Sequence, residues 1–443
     1  MRLVGKPCLR REMSKPSVGL RGGASLRFEH LIVGGSAGAV SAVEAIRSVD
    51  EDASIAVVYD EEVPGYSRPL ISHFLAGELS LDGIMFRSVD FWSRNKVRLI
   101  HDAVVEVDPD DRVVKLAGGE RLGYGRMLLA VGGEPITPKL GGEGGGELYT
   151  FTTLKDAEKI SSRLSDNHRV AVIGGGPIGV SLAEALTKRG KKVTLIELKP
   201  RVLSQVLDER ASRILEGEMT RAGVEVLTGR AVAAVHRNGG RTLSLELDNG
   251  EKRLCDLAVA AIGVKPRVRL AEEAGIAVNR GITVDDAMHT SAPEIYACGD
   301  VAEVYDFAHG LHRPLALWPV ARGSGKTAGY SMAGLDARYE GATAMNAMNY
   351  FNTPIITVGS VNPEDPHMVS IRLDKGRSSY RRIVLKDGLI VGFTLMGEVE
   401  QAGLLLYLMR RRINVGHFKG KLCSPQFGLT ILPQRVRREV LGK

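Results

Sequence analysis

Two glycine clusters in this 443-residue chain stand where backbone could meet phosphate. In the stronger, RVAVIGGGPIGVSLAEALTKRGKKVTLIEL, a strand (Val170 to Ile173) runs into Gly174, Gly176 and Gly179. A helix follows with Val180, Leu182, Ala183 and Leu186 on one face, then a second strand (Val193 to Ile196) that closes on Glu197. Gly174 suits the tight turn, Gly176 lets backbone approach a pyrophosphate over the helix N-terminus, and Gly179 lets helix and sheet close up. Glu197 stands where a carboxylate accepts both ribose hydroxyls of an adenine dinucleotide. A lone GxGxxG is weak evidence, but strand, glycines, helix, strand and acid agree here.

The second cluster repeats the pattern with looser spelling. Strand Leu31 to Val33, the turn Gly34-Gly35-Ser36-Ala37-Gly38-Ala39, helix Val40 to Arg47, strand Ile55 to Tyr59 and then Asp60 follow one another. Ser36 replaces the second glycine and Ala39 the third; both are small, and Ala is accepted at the last position. Tyr59 holds the usual place of the acid, with Asp60 and Glu61 after it.

Other groups exclude chemistries. Cys8, Cys255, Cys298 and Cys423 show no CxxC spacing, which fits a reduced, cytoplasmic chain. The histidines form no i, i+4 pair around an acid, so no metal site is expected. Gly325-Lys326-Thr327 copies the end of a P-loop, but Val320 stands where its first glycine is required, and a nucleoside triphosphatase is rejected.

The elements that must position these residues fill more than one domain. Hydrophobic content of 44% and charged content of 25% are ordinary for a globular protein, and no apolar run is long enough to span a membrane. The net charge of +7 is uneven: residues 1–27 hold +6 and residues 407–443 hold +8, leaving the body near −7. That pattern argues against a nucleic-acid binder and leaves a basic C-terminal face for an acidic partner. Residues 1–27 lack an apolar core segment and are set aside as a flexible extension. Three further strand ends, LLAVGGEP to Pro135, AAIGVKP to Pro266 and IYACGDV to Val301, each turn on glycine, and GGEGGGE (141–147) reads as a flexible surface connection. Residues 379–415 read as strand, an Asp387-Gly388 hairpin turn, strand, and a helix from about Glu400 closed by Arg410 to Arg412.

In this order GGSAGA, LLAVGG, VIGGGPIG, AAIGVKP and YACGD resemble the two-dinucleotide flavoproteins of the pyridine nucleotide–disulfide oxidoreductase superfamily. The resemblance implies an α/β fold with two Rossmann-like domains, the NAD domain inserted in the FAD domain, plus a C-terminal α+β domain on the flavin side or between subunits. The boundaries are 28–150 and 256–335 for FAD, 151–255 for NAD(P)H, and 336–443 for the C-terminal interface domain. Gly34, Ser36, Ala39, Asp60, Val104, Gly132 and Asp300 would line FAD, Val104 through its backbone to adenine. Gly174, Gly176, Gly179, Glu197 and Gly263 would line the nicotinamide nucleotide, NADH rather than NADPH. A glutamate common in the family two residues after the third glycine is Ser181 here.

The disulfide reductases of that superfamily carry a redox cysteine where this chain has GYSRPLISHFLAG, with none. Without a thiolate near the flavin no disulfide can be reduced there. YSRPLIS resembles instead rubredoxin reductases, ferredoxin reductases and the flavin module of nitrite reductases, in which Arg68 would be a cation near FAD and Pro69 would shape the flavin face. The His-x-x-x-x-Glu-Pro motif of the disulfide reductases is also missing. The implied activity is hydride transfer from NADH to FAD and electron transfer to an acidic carrier, rubredoxin or ferredoxin, with no residue named as catalytic. An NADH oxidase and a slow redox sensor resembling apoptosis-inducing factor are the alternatives, and a homodimer is admitted.

Overall fold

Both glycine turns grow out of the same local logic, a short run of β-branched and aliphatic residues with no polar interruption, which can be buried on both faces of a parallel sheet. The computed structural model describes residues 26–144, 148–165, 168–239, 242–376 and 379–442. In it, Leu26–Val33 pairs in parallel with Ile55–Tyr59 on one side and with Arg121–Leu129 on the other. Val97–His101 extends the sheet beyond Ile55–Tyr59, and Ile295–Ala297 returns from far along the chain to pair with Arg121–Leu129. Val113–Leu116 and Val104–Asp108 complete seven strands as an antiparallel extension. The first strand begins at Leu26, whose partner is Leu122, so Leu26 and Arg27 belong to the fold that the sequence reading started at residue 28. The expected extension, with Cys8, otherwise lies outside the described residues.

The second unit repeats the arrangement. Glu225–Thr228, Lys192–Glu197, Arg169–Ile173, Leu257–Ala260 and Tyr149–Thr150 form an all-parallel five-stranded sheet. Leu257–Ala260 lies inside this sheet, beyond the boundary drawn at residue 255. Val232–Arg237, Leu243–Leu247 and Lys252–Cys255 form an antiparallel layer beside it. Gly141–Gly144 is docked on that layer, with Gly141 N donating to Ala233 O at 3.0 Å and Gly144 N to Val235 O at 2.9 Å. This part of the segment is paired backbone rather than a flexible connection; residues 145–147 lie outside the described residues.

The two strand–Gly–Pro motifs find each other. Gly133–Pro135 and Val264–Pro266 pair antiparallel where the chain leaves and re-enters the first unit, which explains why two distant segments share one spelling. The rejected P-loop copy lies within the helix Trp318–Met332, packed across Ala37–Arg47. There Gly325 does a packing job: a Cβ on it would fall 2.4 Å from Gly38 O.

Met345–Tyr350, Thr353–Gly359, Leu389–Met396, Tyr380–Lys386 and Val369–Asp374 form a five-stranded antiparallel sheet, with the helix Ala402–Arg410 on the Leu389–Met396 strand. The hairpin turn falls on Asp387 and Gly388, both with positive φ (51° and 76°), as a two-residue turn matching strand twist requires. This third unit is bolted to the second. Asp208 caps Glu209–Arg221 through the backbone N–H groups of Arg210 and Ala211, and the Tyr380 hydroxyl lies 3.0 Å from both of its carboxylate oxygens.

Candidate functional site

At both glycine turns the backbone excludes side chains. A Cβ on Gly34 would lie 2.3 Å from Ala130 O, and one on Gly174 would lie 2.4 Å from Ala261 O. Both residues have φ near +110° (113° and 111°), a conformation L side chains rarely adopt. The duplication thus reaches down to the same contact with the returning strand.

A cavity of about 1390 Å³ opens from the first turn. It is larger than the ~300–1,000 Å³ of most small-molecule sites, a size that suits a dinucleotide with room for a second ligand. Gly34, Ser36, Asp60, Arg68, Pro69, Val104, Gly132 and Asp300 all line it. Ala39 does not: it is fully buried in the helix behind the turn, where its small size serves packing. The helices Ala37–Arg47 and Trp318–Met332 both present N-termini with no side-chain cap, and Ser36, Leu317 and Trp318 lie on the cavity wall. Uncapped N–H groups from two helices favour an anion such as a pyrophosphate.

Asp300 is the orphan of this cavity. Among the described residues its carboxylate accepts no hydrogen bond, and burial pushes its carboxyl above the usual range, opposed by the Arg68 cation. Asp300 is half-buried, and a carboxylate partly withdrawn from water without a partner is costly unless a ligand supplies donors. Ribityl hydroxyls would do so, and the donor set as a whole fits FAD. Arg68 is held from two sides, by the Glu61 carboxylate and by Thr152 O at 2.9 Å. Asp60, expected at the ribose, faces Arg267 at 3.4 Å. Tyr59 is buried, its ring stacked on His101 at 5.0 Å between centroids.

In the second unit Gly174, Gly176, Gly179, Glu197 and Gly263 lie outside that cavity wall, on their own turn. Open space lies over Gly176, where a Cβ would meet nothing within 4 Å. Glu197 bends back over the turn, accepting from Gly175 N and, at 2.6 Å, from Lys199 N. The helix Pro177–Lys188 carries the second unit into the cavity, which Pro177, Ile178, Ser181, Glu184 and Lys188 line on that side.

Several wall residues escaped the sequence reading. Glu184 follows Ser181 by one turn on the same helix face, a spacing that could have found it; it accepts from Phe351 N at 3.2 Å. Lys188 joins Glu184 (3.2 Å) to Glu78 (2.9 Å), which also meets His73 at 2.6 Å. Hydrogen bonds from Lys188 and His73 hold the Glu78 carboxyl below its usual range. Met345 to Tyr350 of the C-terminal sheet also line the cavity, and the Tyr350 hydroxyl donates to Pro177 O at 3.1 Å. No local signal announces that long-range contact.

The stretch Gly65 to Gly77 carries no cysteine, but Cys298, from a distant part of the chain, reaches this wall. It is 1% exposed beneath Gly38, and burial pushes its thiol up to about 12, so it is held as a neutral thiol rather than a nucleophile. Cys255, Cys298 and Cys423 are all free and buried. Among the described residues no cluster of His, Cys, Asp and Glu could hold a metal, and no helix is long and apolar enough to cross a membrane.

Comparison with known proteins agrees with this geometry. Residues 28–325 match the model of the pyridine nucleotide-disulphide oxidoreductase family, and residues 345–413 match the rubredoxin NAD+ reductase C-terminal domain. The epsilon subunit of the NADH-dependent phenylglyoxylate dehydrogenase of Aromatoleum evansii is 29% identical over 94% of this chain and 97% of its own length. The rubredoxin-NAD(+) reductase of Alcanivorax borkumensis is 30% identical over 85% of this chain and 97% of its own. The Bacillus subtilis nitrite reductase [NAD(P)H] is 28% identical over 87% of the chain, which spans only 47% of that longer protein. Among solved structures, the NADH:rubredoxin oxidoreductase of Clostridium acetobutylicum superposes with a TM-score of 0.74 at 25% identity, over 89% of this chain and 99% of that one. By the extent of these matches and the donors its cavity offers, the chain belongs to the pyridine nucleotide-disulphide oxidoreductase family and is an FAD-dependent NAD(P)H oxidoreductase.

Proposed function

We propose that this chain takes reducing equivalents from NADH and delivers them to a small acidic electron carrier, a rubredoxin or a ferredoxin. The observation that carries the reading is the single cavity reaching from the first glycine turn and Asp300 to Ser181 and Glu184 on the second unit's helix. It gives both cofactors one shared space. When bound there, FAD accepts a hydride from the nicotinamide and releases electrons to an acceptor. In this reading Gly34, Ser36, Asp60, Val104 and Gly132 seat the FAD, with Asp300 accepting from its ribityl chain and Arg68 and Pro69 bordering the flavin. Ala39 packs the helix that presents Ser36. Gly174, Gly176, Gly179 and Gly263 admit the NADH backbone, Glu197 takes the ribose, and Glu184 borders the nicotinamide end.

Two further supports belong to the same reading. Arg410, Arg411 and Arg412 are exposed at the end of Ala402–Arg410, a basic face suited to an acidic carrier. The free state of the described cysteines is consistent with a cytoplasmic setting. A homodimer is compatible with it. The division of the chain into FAD, NAD(P)H and C-terminal domains is part of the proposal, with the second sheet extended to Ala260.

The test is anaerobic titration of the purified, FAD-reconstituted chain with NADH. One non-covalent FAD per chain, bleached by one equivalent of NADH, is expected. No flavin uptake, or flavin that NADH does not bleach, would reject the reading.

A further inference from the structure

Glu61 belongs to neither glycine turn, yet it sits at the centre of a polar cluster on the cavity wall. Its carboxylate accepts from the Tyr66 hydroxyl through one oxygen and from the Arg68 guanidinium through the other. The Tyr66 oxygen also accepts from Leu154 N at 3.1 Å, and Arg68 donates through its other nitrogen to Thr152 O at 2.9 Å. The guanidinium carbon stands 5.6 Å from the centre of the Tyr66 ring. Glu61 and Arg68 are 24% and 33% exposed, so water screens them only in part. The Arg68 charge is felt at Asp300 across the cavity. One end of the cluster thus grips Thr152 and Leu154, where the chain enters the second unit; the other directs a partly neutralised cation at the space assigned to FAD.

We propose that Glu61 is a positioning residue that fixes the Arg68 guanidinium against the cavity wall and offsets its charge there, and so sets the reduction potential of the bound FAD. The inference rests on the proposed seating of FAD at the first glycine turn. Reduction adds negative charge to the cofactor, so an uncompensated neighbouring cation favours the reduced form and an uncompensated carboxylate disfavours it. Glu61→Gln keeps the size and an acceptor for Tyr66 while removing the charge. Arg68→Gln removes the opposite charge and leaves Glu61 and Asp300 facing the flavin.

The experiment equilibrates the FAD-loaded full chain and its variants with reference dyes under anaerobic conditions and reads the midpoint potential, with melting temperature recorded in parallel. Glu61→Gln is expected to shift the reduced-to-oxidised ratio about tenfold towards reduced, which is about 30 mV for a two-electron couple. Arg68→Gln should shift it the opposite way, and the double variant should return to within about threefold of the parent, because the two charges act on the same space. Tyr66→Phe, which takes a hydrogen bond and no charge, should lower the melting temperature and leave the ratio within about twofold. If Arg68→Gln loses FAD, Glu61→Gln and Tyr66→Phe still decide the matter. Should Glu61→Gln lower the melting temperature as Tyr66→Phe does and leave the potential unmoved, the cluster is only a staple between the units; the inference falls while the FAD seating stands. If the parent chain takes up no FAD, the seating falls and the inference with it.

Discussion

Glu197 is held over the second glycine turn by two backbone N–H groups, from Gly175 and Lys199, before any ribose arrives. That fixes its carboxylate at the strand end, where in the proposed role it would accept from ribose hydroxyls and repel a 2′-phosphate. Charge-assisted hydrogen bonds contribute about 1.5–3 kcal/mol. Glu197→Ala should therefore lower kcat/KM for NADH by about tenfold to a hundredfold and leave NADPH unchanged or improved, with Lys199 and Arg201 nearby to favour the phosphate. Steady-state rates with both cofactors check this, and an equal fall for both would reject the role. Glu197 was legible in the sequence because strand period, glycines and acid form one local pattern. Asp300 was legible only through resemblance, and Glu61 scarcely at all: its place depends on Arg68 and on Thr152, which lies 84 residues from Arg68 along the chain.

At the scale of elements, Arg169 and Asp256 meet at 2.7 Å where two adjacent inner strands of the second parallel sheet begin, with Arg169 N also donating to Asp256 at 3.0 Å. The Arg169 hydrogen bonds outweigh burial and hold the Asp256 carboxyl at about 2. Because the folded value lies below the unfolded one of about 3.9, the stabilisation is complete above about pH 4 and drains away towards pH 2. With Arg169 40% exposed, solvent screening leaves about 1–2 kcal/mol. Asp256→Asn should lose that amount in urea unfolding at pH 7, and the difference from the parent should shrink by pH 2; a gap independent of pH would reject it. Between the helices Ala37–Arg47 and Trp318–Met332, Gly325→Ala would force a Cβ against the Gly38 carbonyl at 2.4 Å. Such overpacking costs roughly 1–3 kcal/mol, and thermal unfolding should show it, together with weakened FAD retention since the same helix carries Trp318 on the cavity wall. Element type was easy to read here. The Asp387-Gly388 hairpin and both strand–turn–helix units follow from local residue chemistry, whereas the helix expected from Glu400 runs Ala402–Arg410, a shift within ordinary end uncertainty. The antiparallel pairing of Gly133–Pro135 with Val264–Pro266 was not readable, because no local pattern says which distant strand end will be the partner.

Across the whole molecule, the C-terminal unit both anchors on the second unit and completes the cavity. Tyr380 meets Asp208, Arg210 meets Asp374 at 2.7 Å, and Asn362 donates to Ser204 O and Leu207 O at 3.0 Å. The basic excess of the chain's end was plain from composition, and the helix end places it on the surface: Arg410 pairs at 3.6 Å with Glu340, and Arg411 lies 5.9 Å from the Tyr407 ring centre. Exposed charges of this kind steer association and are screened beyond about 8 Å at physiological salt. Replacing Arg410, Arg411 and Arg412 together by alanine should slow reduction of an acidic carrier about tenfold at low salt and remove most of its salt dependence, with the rate of flavin reduction by NADH unchanged. The measurement that decides the central claim is stopped-flow re-oxidation of the NADH-reduced protein, mixed either with oxidised rubredoxin or ferredoxin or with air-saturated buffer, across a range of ionic strength. A carrier should re-oxidise the flavin faster than oxygen does, and more slowly as salt rises. Oxygen outpacing every carrier with no salt effect would make the protein an oxidase, and a reduced flavin that neither carrier nor oxygen re-oxidises quickly would make it a sensor; either result would contradict the account.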